Sequence, residues 1–392
     1  MHGTIPTFTY HIPTAIEFGW GALARLPGIV KDLGAKDLGG TRALVVGDPG
    51  VARAGLVERV AATLSKGGIP AATFTDVESD PAVQSVEAGS RLAKSEGCDV
   101  VVGVGGGSAL DTAKAIGLML TNGGTIRDYV GINRVPQPGA PVVAIPTTAG
   151  TGSELTIWSV LSDKERKVKI SVGSTFNCPR VALLDPELTL SLPPAITAAT
   201  GMDALTHALE SYVNKATQPI SEAMSEQAMR LIAKSLRVAV AQGDNASARS
   251  DMLLASSIAA LAFNSTRLGL VHAFAMPLGA RFHIPHGLVN AILLPAVMRF
   301  NLPGNFAKYA RIAEIFGEPV AGLSLRDAAA RSVDAIETLK ADIGITARLG
   351  EFGLAQADFD GVVDEAMQSG NVPVNPRQPT RDDLKAILRA EL

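Results

Sequence analysis

The spacing of apolar positions changes near the middle of the chain, and that change divides the sequence in two. In the first half, short apolar runs alternate with amphipathic helical patterns. Residues 16–21 form a strand-and-turn candidate, and 21–33 have helical spacing that Pro27 interrupts. The run Ala43-Leu44-Val45-Val46-Gly47-Asp48 makes a short buried strand. A helix is expected near 57–66, a strand at 71–74 and an amphipathic helix at 83–96. The β-branched run 99–104 is the candidate central strand, with a helix at 109–119 and another buried strand at 142–146. Residues 155–163 and 167–172 read as an antiparallel pair joined by the charged turn 163–166, and 181–185 as the last strand. This alternation predicts a parallel sheet with helices on both faces.

After Leu192-Pro193-Pro194 the pattern becomes almost wholly helical, over 197–214, 221–240, 248–263, 290–301, 305–315 and on to the end. The expected organisation is an α/β domain over 1–192 and an all-helical domain over 193–392. No internal repeat or low-complexity segment interrupts either.

Composition narrows the function classes. The chain has 392 residues, 47% of them hydrophobic, enough for a sizeable core and roughly two to three domains. The net charge is −3 and no basic run occurs, so neither nucleic acid nor an anionic membrane is an expected partner. Two cysteines, Cys98 and Cys178, cannot build a disulfide framework, which points to a reducing, cytoplasmic compartment. Residues 1–6 lack the basic-then-apolar order of a signal peptide, and no apolar stretch reaches membrane-spanning length.

Candidate chemistry lies in two places. Gly105-Gly106-Gly107-Ser108 follows the strongest strand and precedes a helix. Successive glycines let backbone N–H groups approach a phosphate, and a helix N-terminus adds partial positive charge. The alternative is a plain tight turn, with Ser108 capping the helix and Asp111 completing a capping arrangement. Asp48, at the end of an earlier strand, is placed to bond a ribose diol and repel a 2′-phosphate; the alternative is a turn or N-cap aspartate. The hydroxyl-rich stretch 146–154, with Thr147, Thr148 and Thr151, is suited to lining a cofactor or to satisfying its own backbone.

The second place is 198–286, which holds four of the six histidines. Asp203 and His207 are four apart and share a helix face; His272 and His286 bring two more imidazoles. A carboxylate with imidazoles suits Fe(II) or Zn(II), and an open position would let the ion act as a Lewis acid on a substrate oxygen. A metal-free Asp–His pair is the alternative for the first two residues alone. His283 is read as a surface residue before a ligand, and His2 and His11 as incidental.

Taken in order, these motifs resemble the iron-containing (group III) alcohol dehydrogenases, a family that includes lactaldehyde reductases and propanediol dehydrogenases. The matching pieces are 105–108 with 111–114, then 146–154, 199–207, 269–273, 284–287 and 291–295, over most of the chain. The resemblance implies the dehydroquinate synthase-like architecture: a Rossmann-like dinucleotide-binding domain, an all-α domain and an active site between them. It implies Fe2+, or Zn2+, held by Asp203, His207, His272 and His286. It implies NAD held by Asp48, Gly105 to Ser108, Asp111, Thr147, Thr148, Thr151 and Lys169, with Phe263 at a pocket for an alcohol or aldehyde. A homodimer or higher homo-oligomer is also implied.

Departures from the family pattern fall near the substrate. Met276 stands where a second histidine of an HxxxH pattern is usual, leaving proton exchange to water, the cofactor ribose or His283. Trp158 replaces a small polar residue. Arg267 and Arg281 flank the ligand segment, where a cation would bind a carboxylate, sulfonate or phosphonate; the alternative is a surface arginine paired with a carboxylate. Rival readings are a glycerol-dehydrogenase-like or maleylacetate-reductase-like enzyme, a lyase on the dehydroquinate synthase scaffold, and a non-catalytic metal- or nucleotide-binding homologue.

Overall fold

The computed structural model describes residues 7–34, 40–166 and 168–392. His2, the segment 1–6 and Lys167 lie outside the described residues. The chain forms two compact units, Ile12–Ser191 and Leu192–Leu392, with residues 7–11 grouped with the second.

The first unit contains β1 (Ala15–Phe18), α1 (Leu26–Gly34), β2 (Ala43–Val46), α2 (Pro49–Arg53), α3 (Leu56–Lys66), β3 (Ala71–Phe74) and α4 (Val83–Ser95). It continues with β4 (Val100–Gly105), α5 (Gly107–Thr121), β5 (Gly131–Ile132), β6 (Val142–Pro146), β7 (Trp158–Asp163), β8 (Val168–Gly173) and β9 (Val181–Leu184). Six strands form one parallel sheet in the order β1-β9-β6-β4-β2-β3. Alternate residues of β2 and β4 enter different cores. Leu44, Val46 and Val101 pack with Val83, Val86 and Ile116 of α4 and α5. Ala43, Val45 and Val102 pack with Leu26, Val30, Val60 and Leu64 of α1 and α3. The four inner strands β2, β4, β6 and β9 are covered on both faces, so they are apolar at every position instead of alternating.

A small second sheet, β5-β8-β7, carries the antiparallel β7–β8 pair. Pro27 falls in the first turn of α1, where proline is tolerated, and a short 3-10 turn, Ala22–Arg25, precedes it.

The second unit is helical among the described residues: α6 (Pro194–Val213), α7 (Pro219–Ala241), α8 (Ala246–Thr266), α9 (Leu270–Phe282), α10 (His286–Asn301), α11 (Phe306–Ile315), α12 (Leu325–Asp342), α13 (Phe359–Met367) and α14 (Arg381–Ala390). Helix α6 is its axis, packed against α7, α8 and α10 and buried almost throughout. Helix α9 is absent from the elements the pattern predicts. It is buried nearly all round and contains Pro277, so neither amphipathic spacing nor composition marks it. Among the described residues no single helix is long and apolar enough to cross a membrane.

Candidate metal centre and cofactor loops

A buried helix must satisfy its polar side chains internally. On α6, Thr206 donates to the Met202 carbonyl and Ser211 to that of Ala208. Asp203, His207 and Glu210 remain, spaced i, i+4 and i+7 on one face and all under 6% exposed. Helix α9 supplies His272, and α10 begins with His286.

These side chains converge. Asp203 Oδ1 lies 3.7 Å from His207 Nε2, 3.7 Å from His272 Nε2 and 3.6 Å from His286 Nε2. Such separations are too long for direct hydrogen bonds. They are close to the roughly 3.3 Å between neighbouring ligands of a tetrahedral ion with bonds near 2.05 Å. The donor atoms of Asp203, His207 and His272 all lie within 4.8 Å of one another. His286 is within reach of the carboxylate but stands outside that mutual group, with a side chain 45% exposed, so the set is open on its side. One carboxylate oxygen and three imidazole nitrogens are the donor chemistry of Fe(II) or Zn(II), and the residues present fit such an ion.

Three neighbours hold this arrangement. Phe263 packs on the His207 ring with centroids 4.4 Å apart, and His207 stacks on His272 at 4.7 Å. Asn290, one turn beyond His286, donates from Nδ2 to Asp203 Oδ1 at 2.7 Å, with His272 Nε2 and His286 Nε2 at 3.2 and 3.3 Å. Its Oδ1 is buried without a partner among the described residues. Glu210 lies 2.7 Å from His272 Nδ1. Glu210 and Asn290 were legible only as spacings, at i+3 from His207 and i+4 from His286.

Burial disfavours charge on both Asp203 and His272. The nearby imidazoles nevertheless hold the Asp203 carboxyl well below the usual carboxylate range. Asp203 and Glu210 together push His272 up to about 9.

Gly269 precedes α9 for a steric reason. A Cβ there would sit 2.7 Å from Glu210 Oε1 and 3.2 Å from Asn375 Oδ1. Gly269→Ala must displace Glu210 or the start of α9, at a cost of about 1–3 kcal/mol. A lowered thermal midpoint with weaker metal retention is the expected result; unchanged values for both would remove this steric account.

The first unit gathers its candidates at the carboxyl ends of three adjacent strands, β2, β4 and β6, where open α/β sheets bind ligands. Asp48 follows β2 and caps α2, accepting from Gly50 N at 2.8 Å and Val51 N at 3.0 Å. Gly105 ends β4 at φ +149°, and a Cβ there would meet Ala109 Cβ at 2.7 Å and Asp48 Oδ2 at 3.3 Å. Gly106, not Ser108, is the N-cap of α5. Ser108 lies inside the first turn and donates to the Ser79 carbonyl at 2.7 Å, so the expected Ser108 cap gives way to a glycine one. Thr148 and Thr151 lie against Gly106 and Gly107, and Thr147 N donates to the Gly105 carbonyl at 3.0 Å.

Two expected cofactor residues have partners within the protein. Asp111 pairs with Lys114 at 3.0 Å, accepts from Val160 N at 2.8 Å and bonds the Ser153 hydroxyl. Lys169 pairs with Asp80 at 2.7 Å. Lys114 is 1% exposed and also donates to the Ser153 carbonyl, Thr156 Oγ1 and the Trp158 carbonyl, tying α5 to the hydroxyl-rich loop. Trp158 lays its ring over Gly173, its cross-strand partner.

The remaining candidates lie in the second unit. Met276 is half-buried, one turn beyond His272. His283 is exposed, with φ +55° at the end of α9. Arg281 is a surface arginine bonded to Glu365 at 3.0 Å, which removes it as a free cation. Arg267 is exposed at φ +66° and ψ −168°, a backbone region that favours glycine, with its guanidinium against Gly370.

Comparison with known proteins gives this geometry its family. Residues 13–186 match the profile described as iron-containing alcohol dehydrogenase, and residues 197–392 match that of the Fe-containing alcohol dehydrogenase family, C-terminal. The chain belongs to the iron-containing alcohol dehydrogenase family. Among its relatives, the 1,3-propanediol dehydrogenase of Klebsiella pneumoniae is 43% identical over 97% of this chain and 98% of that protein. The NAD-dependent methanol dehydrogenase of Bacillus methanolicus is 42% identical over 98% and 99%. A solved 1,3-propanediol oxidoreductase superposes with a TM-score of 0.95 at 42% identity, covering 99% of this chain and all of that one. The protein is thus an oxidoreductase of the iron-containing alcohol dehydrogenase family, and nothing found favours the rival readings.

Proposed function

We propose that this family member transfers a hydride between NAD(H) and a short primary alcohol or its aldehyde. The observation that carries the reading is the convergence of three imidazole nitrogens at 3.6–3.7 Å on one oxygen of Asp203. The names of the 1,3-propanediol and methanol dehydrogenases supply the substrate class.

In this reading Asp203, His207, His272 and His286 hold a divalent ion, Fe2+ or Zn2+. When bound, the ion would supply Lewis acidity toward the alcohol oxygen and the nicotinamide cofactor would supply the hydride-transfer chemistry. The protein's own part is positional. Asp203 contributes the anionic donor, and Asn290 fixes its orientation. Phe263 keeps an apolar wall against His207, which limits water beside the donor set. The backbone of Gly105 to Gly107 and the N-terminus of α5 receive the cofactor phosphates, with Thr147, Thr148 and Thr151 beside them. Asp111 serves this loop through Lys114 and Ser153.

Asp48 binds the ribose and disfavours NADP by charge. Asp48→Ser keeps a capping side chain for α2 while removing the carboxylate. The ratio of kcat/KM for NADP to that for NAD is expected to rise about tenfold or more. An unchanged ratio would show that Asp48 only caps.

The reading as a whole is tested by supplying metal-depleted protein anaerobically with Fe(II), NAD and a panel of short alcohols, and following NADH. Turnover that depends on added metal is expected; metal binding without turnover of any alcohol or aldehyde would favour a binding protein. We also infer a homo-oligomer in the reducing cytoplasm. The free, buried Cys98 and Cys178 support the compartment, and exposed Ile16 and Phe18 on edge strand β1 support the assembly.

A further inference from the structure

We propose that Glu210 is the positioning residue of the metal centre, setting both the ring of His272 and the place of the helix that carries it. The inference rests on the reading that Asp203, His207, His272 and His286 hold the ion.

Glu210 is 3% exposed and makes three contacts. Oε2 lies 2.7 Å from His272 Nδ1 and accepts the Gly269 N–H at 2.8 Å. Oε1 accepts the Val271 N–H at 2.7 Å. A neutral imidazole carries one N–H. With an ion bound, a carboxylate at Nδ1 keeps that proton there and leaves the Nε2 lone pair for the ion. The ring is fixed at its far edge.

The same carboxylate fixes the backbone. Gly269 is the N-cap of α9, and Val271 and His272 lie in its first turn. Glu210 takes two of the N–H groups that no helix can satisfy internally, where negative charge is favoured. Asn375 Oδ1 serves Leu270 N, at 3.4 Å, but touches no ligand. A carboxylate that only capped α9 would have no need of Nδ1. Glu210 therefore locates the third ligand by its main chain and its side chain together, from the same helix face that bears Asp203 and His207.

Charge supports the assignment. Buried ions are tolerated when paired. Asp203 and Glu210 contribute two negative charges around neutral imidazoles, which matches one divalent cation.

The test uses the full-length protein, stripped with chelator and titrated with Co(II) alone; a chromophoric chelator in competition gives the Kd. Glu210→Gln keeps the shape but sets an amide NH2 against a backbone N–H or the Nδ1 proton. It is expected to bind one equivalent with Kd raised about 10–100-fold and a shifted Co(II) visible spectrum, while far-UV circular dichroism stays native. Glu210→Asp, which keeps the charge but falls short of Nδ1, is expected to weaken binding with a shifted spectrum even if the glutamine variant fails to fold. Asn375→Ala loosens the start of α9 without touching His272, so it should lower the thermal midpoint and leave the Co(II) spectrum unchanged. Wild-type Kd and spectrum in Glu210→Gln would overturn the proposal, as would the same spectral change in Asn375→Ala. Failure of the wild type to take up Co(II), or unaltered binding by His272→Ala, would instead overturn the metal site itself.

Discussion

Asp203→Ala is expected to leave a folded protein that neither retains metal nor turns over alcohol. Asp203 supplies the carboxylate of the converging donor set, and one of its oxygens is the point on which three imidazoles close. Without it, the cation would meet neutral nitrogens alone in a buried site, where charge must be paired. Several kcal/mol of charge stabilisation at the substrate oxygen would go with the ion, so kcat/KM should fall about a thousandfold or more. The fold should persist, because α6 is held by apolar packing against α7, α8 and α10 rather than by this carboxylate. Metal content of the purified variant, its alcohol-dependent NADH formation and its circular dichroism check the three parts separately. Stoichiometric metal in the variant would remove Asp203 from the ligand set.

Lys114→Met should strongly destabilise the first unit. The ammonium is fully buried and holds Asp111, two carbonyls and a threonine hydroxyl. Methionine fills similar space but leaves a largely buried carboxylate without its cation and takes the ammonium donor from the Ser153 and Trp158 carbonyls and from Thr156 Oγ1. Breaking such a pair from one side costs about 3–5 kcal/mol. In a unit of this size the thermal midpoint should drop by roughly 10 °C or more. NAD affinity should fall as well, because Lys114 ties the loop 146–156 to α5 and so keeps Thr148 and Thr151 against the glycines. Adding Asp111→Asn to Lys114→Met removes the orphaned charge and should recover part of the stability. A midpoint within about 2 °C of wild type for Lys114→Met would show that this network contributes little.

Much of the first unit was legible because its strands obey local rules. The apolar runs at 43–48, 99–104 and 142–146 are strands β2, β4 and β6. Parallel strands covered on both faces need no partner information to be recognised. Their ends carry Asp48, the glycines and the threonines, and strand order alone brings these together. Asp203 and His207 were legible as well, since i, i+4 on a helix is a local geometry.

The rest depended on contacts distant in sequence. Helix α9 carries no amphipathic stripe, because nearly every side of it is buried. Ser108 looked like a cap, but the turn of the chain at Gly106 gave that place to a residue without a side chain. That Asp111 is paired with Lys114 and Lys169 with Asp80 was likewise not legible, because those partners come from packing and from distant segments. Arg281 was open between a substrate cation and a surface arginine paired with a carboxylate, and α13 supplies that carboxylate as Glu365.

The sequence by itself determined the parallel sheet and the helical second half, because periodicity is written within single elements, and its motifs in order carried the resemblance to the family and to its four candidate ligands. Only the tertiary structure decided which polar residues serve the site and which serve the scaffold. Glu210 and His272 are 62 positions apart, as their hydrogen bond records, and Asp203 and Asn290 are 87 apart. No local pattern carries those distances. A buried carboxylate acts through whatever donors packing brings to it, and packing is settled by the whole chain.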